Sequence, residues 1–170
     1  MASNDPVILT LLLDKESFAF FEKLRRLHFP EERNFLQAHL TLFHHLPPEH
    51  YQQLLQDIAA ICKQQQALQL QVREVKMMGR GVAYRIESDR LMQMHLSLQK
   101  KWQQWLMAQD KQKLWPHVTV QNKVSADEAK LLYKKLEAVF TPFASVGLGL
   151  QLWAYKGGPW ELLHTELFAG

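Results

Sequence analysis

An internal repeat built around two short strings, His39-Leu-Thr-Leu42 and His117-Val-Thr-Val120, constrains this chain more than any other feature. An offset of 78 residues (117 − 39) superimposes the two strings. The same offset carries Leu54 to Leu132, Ile58 to Leu136, Leu70 to Leu148 and Gly79 to Gly157. Residues 39–86 and 117–164 therefore form two copies of one unit. A repeat of two units predicts one pseudo-two-fold domain over residues 1–170, since a solenoid usually has three or more copies.

Composition and charge limit the class of protein. A chain of 170 residues that is 47% hydrophobic can bury a core as one domain. The net charge of +3 tolerates an anionic substrate but is too weak to indicate binding to long nucleic acids. The apolar run Val7–Leu13 is too short to span a membrane, and we expect no membrane partner. The first residues lack the basic region of a signal peptide, and the single cysteine, Cys62, suits a reducing compartment, so we expect a cytoplasmic protein.

Apolar periodicity and turn residues predict alternating strands and helices. The predicted strands are Val7–Leu13, a segment around His39, Leu68–Met78, Val82–Glu87, a segment at His117, Ala144–Tyr155 and Trp160–Phe168. The predicted helices are Lys15–His28 with Asp14 as N-cap, a segment from Pro47-Pro48 to about Gln65, Asp89–Met107, and a segment from Ser125 to Phe140. The hairpins indicate antiparallel pairing. We therefore predict an α+β fold with two similar lobes, antiparallel sheets flanked by helices, and a central cleft.

Strand alternation predicts which face of the sheet lines the cleft. The apolar face carries Leu68, Leu70, Val72, Val146, Leu148, Leu150 and Leu152, and should meet the helices. The opposite face carries Gln69, Gln71, Arg73, Gly147, Gly149, Gln151, Trp153 and Tyr155. In each string the His and the Thr lie two residues apart, so both point to one face. We expect His39, Thr41, His117 and Thr119 to surround one cavity, with two imidazoles and two hydroxyls suited to a phosphodiester without a metal.

The paired strings, with Pro116 before the second, resemble the two-histidine (2H) phosphoesterase superfamily and, within it, the bacterial 2′-5′ RNA ligase-like proteins. The resemblance extends over nearly the whole chain through the repeat. It implies a bilobal fold with a water-filled cleft, no metal or other cofactor, and hydrolysis of phosphodiesters such as 2′,3′-cyclic phosphate ends. Some members join RNA reversibly through 2′-5′ bonds. A third string, His95-Leu-Ser97, lies on the apolar stripe of a predicted helix and is interpreted as a core feature.

The residue chemistry agrees with this resemblance. Imidazole has an unperturbed pKa of ~6.5, so one histidine can act as base while the other stays protonated. The hydroxyls of Thr41 and Thr119 can hold the non-bridging oxygens of a phosphate. In-line displacement at phosphorus places nucleophile and leaving group on opposite sides. The resemblance implies His117 as the base and His39 as the acid, and the sequence itself does not fix that assignment.

Further residues are candidates for substrate binding: Phe43, Arg73, Lys123, Trp153 and Tyr155. Trp153, Tyr155 and Trp160 can stack a base or can form an aromatic cluster at a hairpin end. The chain departs from the family pattern at Asn122, where ligase-type members often place an arginine, and at Phe43-His44-His45. The first departure weakens the case for a long RNA substrate, because a guanidinium suits phosphate better than an amide.

A metal site at His44, His45 and His50 is not expected. Neighbouring residues of a strand point to opposite faces, and no carboxylate or cysteine stands beside them at ligand spacing. We therefore predict a monomeric, metal-independent phosphodiesterase that acts on a nucleotide or RNA terminus. The alternatives are a 2′-5′ RNA ligase and a nucleotide- or RNA-binding module without turnover.

Overall fold

Strands and helices alternate along the chain, as described for residues 4–170 by a computed structural model. The strands are β1 (Val7–Leu13), β2 (Leu40–Leu46), β3 (Leu68–Met77), β4 (Val82–Glu87), β5 (His117–Gln121), β6 (Phe143–Tyr155) and β7 (Trp160–Leu167). The helices are α1 (Lys15–His28), α2 (Tyr51–Gln64), α3 (Asp89–Lys101) and α4 (Ala126–Val139). Within residues 4–170, no helix combines the length and the apolar character needed to cross a membrane.

All seven strands form one antiparallel sheet in the order β2-β1-β6-β3-β4-β5, with β7 paired to β6. The long strand β6 joins the two halves of the sheet, because its beginning pairs with β3 and its remainder pairs with β7. The sheet curls, so that β2 and β5, at opposite ends of the strand order, come into contact. The order strand, helix, hairpin occurs in both halves, as β2-α2-β3-β4 and as β5-α4-β6-β7. The predicted α+β fold is confirmed.

Strand β1, between β2 and β6, is buried on both faces and anchors the first helix. Asp14 follows it directly and caps α1, since its carboxylate accepts from the backbone N–H of Ser17 at 3.1 Å. The same carboxylate accepts from the Ser145 hydroxyl at 2.8 Å and from the Val146 N–H at 2.9 Å. Burial raises the pKa of Asp14, but these hydrogen bonds outweigh it and hold the pKa below its usual value. The carboxylate therefore fixes α1 to β6.

Two β-bulges change which side chains reach the cleft. In β2, Leu9 pairs with Phe43 and Thr10 with Thr41, so Leu42 is the extra residue. In β6, Leu12 pairs with Gly149 and Leu13 with Gly147, so Leu148 is the extra residue. The alternation predicted for β6 is therefore wrong around this point. Leu148 is 38% exposed, whereas a Cβ added at Gly147 would lie 3.1 Å from the Leu11 side chain in the core.

The third helix is shorter than predicted. Helix α3 ends at Lys101, not at Met107. The three-residue spacing of Trp102 and Trp105 fits a helix, but the chain turns there, with a 2.8 Å hydrogen bond from the Trp105 N–H to the Trp102 carbonyl. The buried indole of Trp102 donates to the Asp57 carboxylate of α2 at 2.9 Å. This turn leads the chain into the 3-10 segment Ala108–Lys111, which carries Asp110 to the cleft.

Candidate active site

His39 stands directly before β2, and its imidazole is oriented by its own backbone. Its Nδ1 lies 2.8 Å from the carbonyl oxygen of Gln37. A carbonyl oxygen only accepts, so Nδ1 carries the proton and donates, and Nε2 is left for a ligand. The ring lies against the indole of Trp160, with ring centres 4.6 Å apart.

His117, the first residue of β5, has the same arrangement. Its Nδ1 donates to the carbonyl oxygen of Trp115 at 2.7 Å, again two residues earlier in the chain. The ring centres of His117 and Trp115 are 4.7 Å apart. The two motifs therefore present their imidazoles in matching fashion, each with Nε2 free and each beside a tryptophan.

The cleft lowers the pKa of both imidazoles. Desolvation is the largest cause of the shift of His39, whose pKa falls to about 4, and nearby charge on Arg25, His117 and His44 adds to it. The hydrogen bond to Gln37 opposes this shift. Desolvation also lowers the pKa of His117. Near neutral pH the unliganded site therefore holds two neutral imidazoles.

The two threonines lie on strands at facing ends of the curled sheet. Thr41 pairs with Thr10 of β1, and Thr119 pairs with Ala83 of β4. Both side chains are half-buried. Each is two residues from its histidine and so shares that histidine's face. Thr41 lines the same cavity as His117, and Thr119 lies on the face of β5 that carries His117.

Two cavities adjoin the histidines. The larger, of about 630 Å³, lies beside His39 and has an aromatic and aliphatic wall. That wall includes Phe18, Phe35, Leu36, Leu148, Trp153, Trp160 and Leu162. The smaller, of about 150 Å³, lies beside His117 and is lined by Thr41, Leu42, His44, His95, Gln109, Asp110, Gln112, Lys113, Leu114 and Trp115. The site thus has one apolar compartment and one polar compartment.

A buried arginine ties the two motifs together. The Arg25 side chain of α1 is 4% exposed. Its Nε donates to the Asn34 Oδ1 at 2.9 Å and to the Leu36 carbonyl at 3.1 Å, both in the segment before His39. One terminal nitrogen donates to the carbonyl of Thr119 at 3.1 Å. Burial lowers the pKa of Arg25 to about 10, so the side chain stays charged near neutral pH.

Because of the bulge in β2, His44 and not Phe43 lies on the face that lines the cleft. Simple alternation predicts Phe43 on the face of His39 and Thr41, as a residue that contacts the substrate. Phe43 is instead fully buried, stacked on His95 at 4.5 Å and packed edge-on against Trp102 at 5.2 Å. The structure corrects the prediction for Phe43, because the extra residue of the bulge turns this side chain into the core.

His44 is a site residue that the sequence interpretation missed. It points into the smaller cavity, where the buried carboxylate of Asp110 lies 3.1 Å from its Nδ1. The strand pattern gives no signal for Asp110, which is distant in sequence and reaches β2 only through the tertiary fold. Arg25 was missed for the same reason, whereas Trp115 lies only two residues before His117 and was missed because the apolar pattern does not mark it. His95 is a buried core residue, as expected, and its Nε2 donates to the Leu42 carbonyl at 2.9 Å.

The remaining predicted binding residues lie in different places. Trp153 lines the larger cavity, and its indole N–H donates to the Thr10 hydroxyl at 2.8 Å. Tyr155 is 41% exposed at the end of the β6-β7 hairpin and lines neither cavity. Lys123 lines a separate surface cavity with Arg80 and Glu128. Arg73 is exposed on β3 and pairs with Glu87 at 3.0 Å. Only Trp153 of these four adjoins the histidines.

The residues present do not assemble a metal site in the part of the chain that the structure describes. Among residues 4–170, no group of three or more histidine, cysteine, aspartate or glutamate side chains could hold a metal ion. The carboxylate of Asp110, beside the histidines, already accepts from the backbone N–H groups of His44 and His45. The reactive groups that this site presents to a ligand are imidazoles and hydroxyls.

Solved structures share this fold over nearly the whole chain. TT0787 of Thermus thermophilus superimposes with a TM-score of 0.70 at 15% identity, covering 97% of this chain and 98% of that one. A structure described as a phosphoesterase gives a TM-score of 0.63 at 18% identity, covering 99% and 100%. LigT of E. coli, complexed with 3′-AMP, gives 0.62 at 16% identity, covering 99% and 100%.

The sequence of the chain identifies its family. No curated protein matches the chain. The sequence profile of the family described as the 2′-5′ RNA ligase superfamily matches residues 13–159, which include both His-x-Thr motifs and every strand from β2 to β6. This chain therefore belongs to the 2′-5′ RNA ligase superfamily.

Proposed function

We propose that this protein is a metal-independent phosphodiesterase that opens 2′,3′-cyclic phosphates at the ends of nucleotides or short RNA. The observation that carries the proposal is the matching presentation of His39 and His117, each with Nδ1 committed to a backbone carbonyl and Nε2 available. A base and an acid on opposite sides of phosphorus are what an in-line displacement needs. Membership of the 2′-5′ RNA ligase superfamily supports phosphoester chemistry in general.

The proposed reaction is a hydrolysis in which two proton transfers balance. One imidazole takes a proton from water as the water oxygen bonds to phosphorus. The bond from phosphorus to one ribose oxygen breaks, and the second imidazole, in its protonated form, gives that oxygen a proton. Each of these proton transfers contributes typically ~10²–10⁴-fold to the rate. Thr41 and Thr119 donate to the non-bridging oxygens, where negative charge is concentrated in the transition state.

Both imidazoles can take the part of the base, because desolvation lowers the pKa of His39 to about 4 and also lowers that of His117. The neutral form is the one that can accept a proton from water. The resemblance implies His117 as the base and His39 as the acid, and we propose the same assignment.

The larger cavity is the proposed site for the nucleobase. Trp160 touches the ring of His39 and lies 6.1 Å from Trp153, so an aromatic wall begins at the reacting phosphate. Aromatic side chains stack any base, because every base has a π face. The structure of E. coli LigT with 3′-AMP supports a nucleotide as the ligand class.

The first experiment measures hydrolysis of 2′,3′-cyclic mononucleotides, and of an RNA oligomer ending in a 2′,3′-cyclic phosphate, in the presence of EDTA. We expect turnover by the native protein and a loss of at least ~100-fold in His39→Ala and in His117→Ala. His45→Gln, which changes an exposed neighbouring histidine outside both cavities, is the matched control. Absence of turnover by the native protein on both substrates would remove the proposal.

A second experiment separates acid from base. A p-nitrophenyl nucleoside phosphodiester releases a stable anion, so its cleavage needs no general acid. With His117 as base, His39→Ala retains most of its activity on this ester and His117→Ala does not. The opposite result would assign the base to His39.

Formation of 2′-5′ phosphodiester bonds is the second candidate, favoured by the family to which the chain belongs. The two imidazoles can exchange acid and base roles, so the same site can catalyse the reverse reaction with a ribose hydroxyl in place of water. Incubation of RNA ends with the native protein, followed by analysis of the linkage, tests it. Tight RNA binding that survives both histidine substitutions, without any turnover, would indicate a binding module instead.

A further inference from the structure

A third histidine shares the polar compartment of the site. The bulge at Leu42 turns His44 to the same face of β2 as Thr41, and the two side chains line the smaller cavity together with His117. That cavity of about 150 Å³ equals roughly five water molecules at ~30 Å³ each. It accommodates a phosphate but is too small for a whole nucleoside.

A buried carboxylate sets the direction of the His44 ring. The Asp110 side chain is 1% exposed and accepts from the His44 backbone N–H at 2.8 Å, the His45 backbone N–H at 2.8 Å and the His44 Nδ1 at 3.1 Å. Burial raises the pKa of Asp110, but the hydrogen bonds from His44 and His45 outweigh it, and the pKa stays below its ordinary value. The carboxylate is therefore ionised near neutral pH, fixes the proton on Nδ1 and leaves Nε2 for the cavity.

The charged groups around His44 suit an anion. Asp110 faces it from the 3-10 segment, His95 from α3, and Lys113 and His117 line the same cavity. Charge on His44 lowers the pKa of His117, of His39 and of His95, so its field extends to both proposed reacting imidazoles. The Asp110 carboxylate offsets positive charge on the His44 imidazole, and a bound phosphate would offset more of it.

We propose that His44 is a third phosphate-contacting histidine, whose Nε2–H donates to a non-bridging oxygen of the phosphate held between Thr41 and His117. This inference rests on the proposed function, since it concerns the same phosphate. His44 makes this contact only when its imidazole is charged, because Nδ1 already carries the proton that Asp110 accepts. The contact is stronger for the phosphomonoester product, which can carry two negative charges, than for the diester substrate, which carries one.

Binding of inorganic phosphate, measured by calorimetry, tests the contact without requiring turnover. We expect His44→Gln to weaken phosphate binding about tenfold, as the loss of one charge-assisted hydrogen bond predicts. His45→Gln is the matched control and should bind phosphate as the native protein does. Equal affinities for the native protein and His44→Gln, or no phosphate binding by the native protein, would overturn the inference, whatever the outcome of the hydrolysis assay.

Steady-state kinetics on a 2′,3′-cyclic mononucleotide complete the test. His44→Gln should raise KM while kcat stays within a few-fold, whereas His39→Ala and His117→Ala should mainly lose kcat. A variant that loses kcat at unchanged KM would place His44 in the proton transfers and overturn its assignment as a phosphate contact.

Discussion

The Nε2 atom of His95 lies 2.9 Å from the backbone oxygen of Leu42, and this contact joins α3 to the bulge in β2. A bulge leaves backbone groups of the extra residue without a partner on the neighbouring strand. The imidazole of His95 supplies a donor to the carbonyl that the bulge releases. The bulge turns His44 toward the cleft and Phe43 into the core. By stabilising the bulge, the buried His95 side chain therefore helps to determine which of these two residues lines the site.

Replacing His95 by leucine should destabilise the protein by ~1–3 kcal/mol, because the buried Leu42 carbonyl would lose its donor. Urea denaturation measures the loss. His95→Gln retains a donor group and should lose less. Leu96→Gln, at a neighbouring position that is 51% exposed, is the control and should stay near the native value. A His95→Leu variant as stable as the native protein would show that the contact contributes nothing.

Arg25 should behave as a positioning residue for both motifs. Arg25→Lys keeps the charge but cannot reproduce the fork that reaches the Leu36 and Thr119 carbonyls. We expect a stability loss of ~2 kcal/mol, together with a fall in kcat, since the segment before His39 and the strand β5 lose their common anchor. Arg26→Lys, with a side chain that is 71% exposed, should change stability by less than ~0.5 kcal/mol. Unchanged kcat in Arg25→Lys would contradict the positioning role.

The stability of the protein should fall as the medium becomes acidic, in part through His39. Its pKa falls from 6.5 to about 4 on folding, so the unfolded chain binds this proton more readily. The stability from this group is present above pH 6.5 and is lost as pH falls through about 4. Urea midpoints at several pH values between these limits should show a smaller acid-induced fall for His39→Gln than for the native protein. His45→Gln should follow the native curve, and identical curves for all three proteins would be the contrary result.

Trp160 should determine the affinity for the nucleobase. Loss of one stacking contact costs ~1–3 kcal/mol, so Trp160→Leu should raise KM for a cyclic mononucleotide by about tenfold or more. Tyr155→Leu, at an exposed position outside the cavity, is the control. A ribose cyclic phosphate without a base distinguishes stacking on the nucleobase from support of the His39 ring. If Trp160→Leu impairs this base-free compound as strongly, the tryptophan acts by holding His39 and not by stacking.

Local sequence patterns predicted the elements well and the side-chain directions less well. The bounds of β1 and α1 agree with the apolar run and the Asp14 cap, because both signals lie within the segment itself. The direction of the Phe43 side chain was predicted wrongly. A bulge depends on how many residues of the partner strand pair with the segment, which the segment's own sequence does not show. Leu148 differs from its prediction for the same reason.

The supporting residues of the site could not be found by pattern at all. Asp110 and Arg25 reach the motifs through hydrogen bonds between segments that are far apart in sequence. A lone buried aspartate or arginine has no periodic signal, and its partners are mostly backbone atoms, which every residue supplies. The repeat singled out the two His-x-Thr motifs, but the contacts that hold these motifs in place are properties of the folded chain.

The imidazole of each His-x-Thr motif takes its orientation from a main-chain oxygen two residues earlier, at Gln37 for His39 and at Trp115 for His117. A mutation can remove an orienting carboxylate in a single step, but no change of side chain removes a peptide carbonyl. Changes of side chain at Gln37 and Trp115 therefore do not alter which tautomer each histidine adopts. A substitution at Gln37 or Trp115 therefore leaves the acceptor of each Nδ1 proton in place.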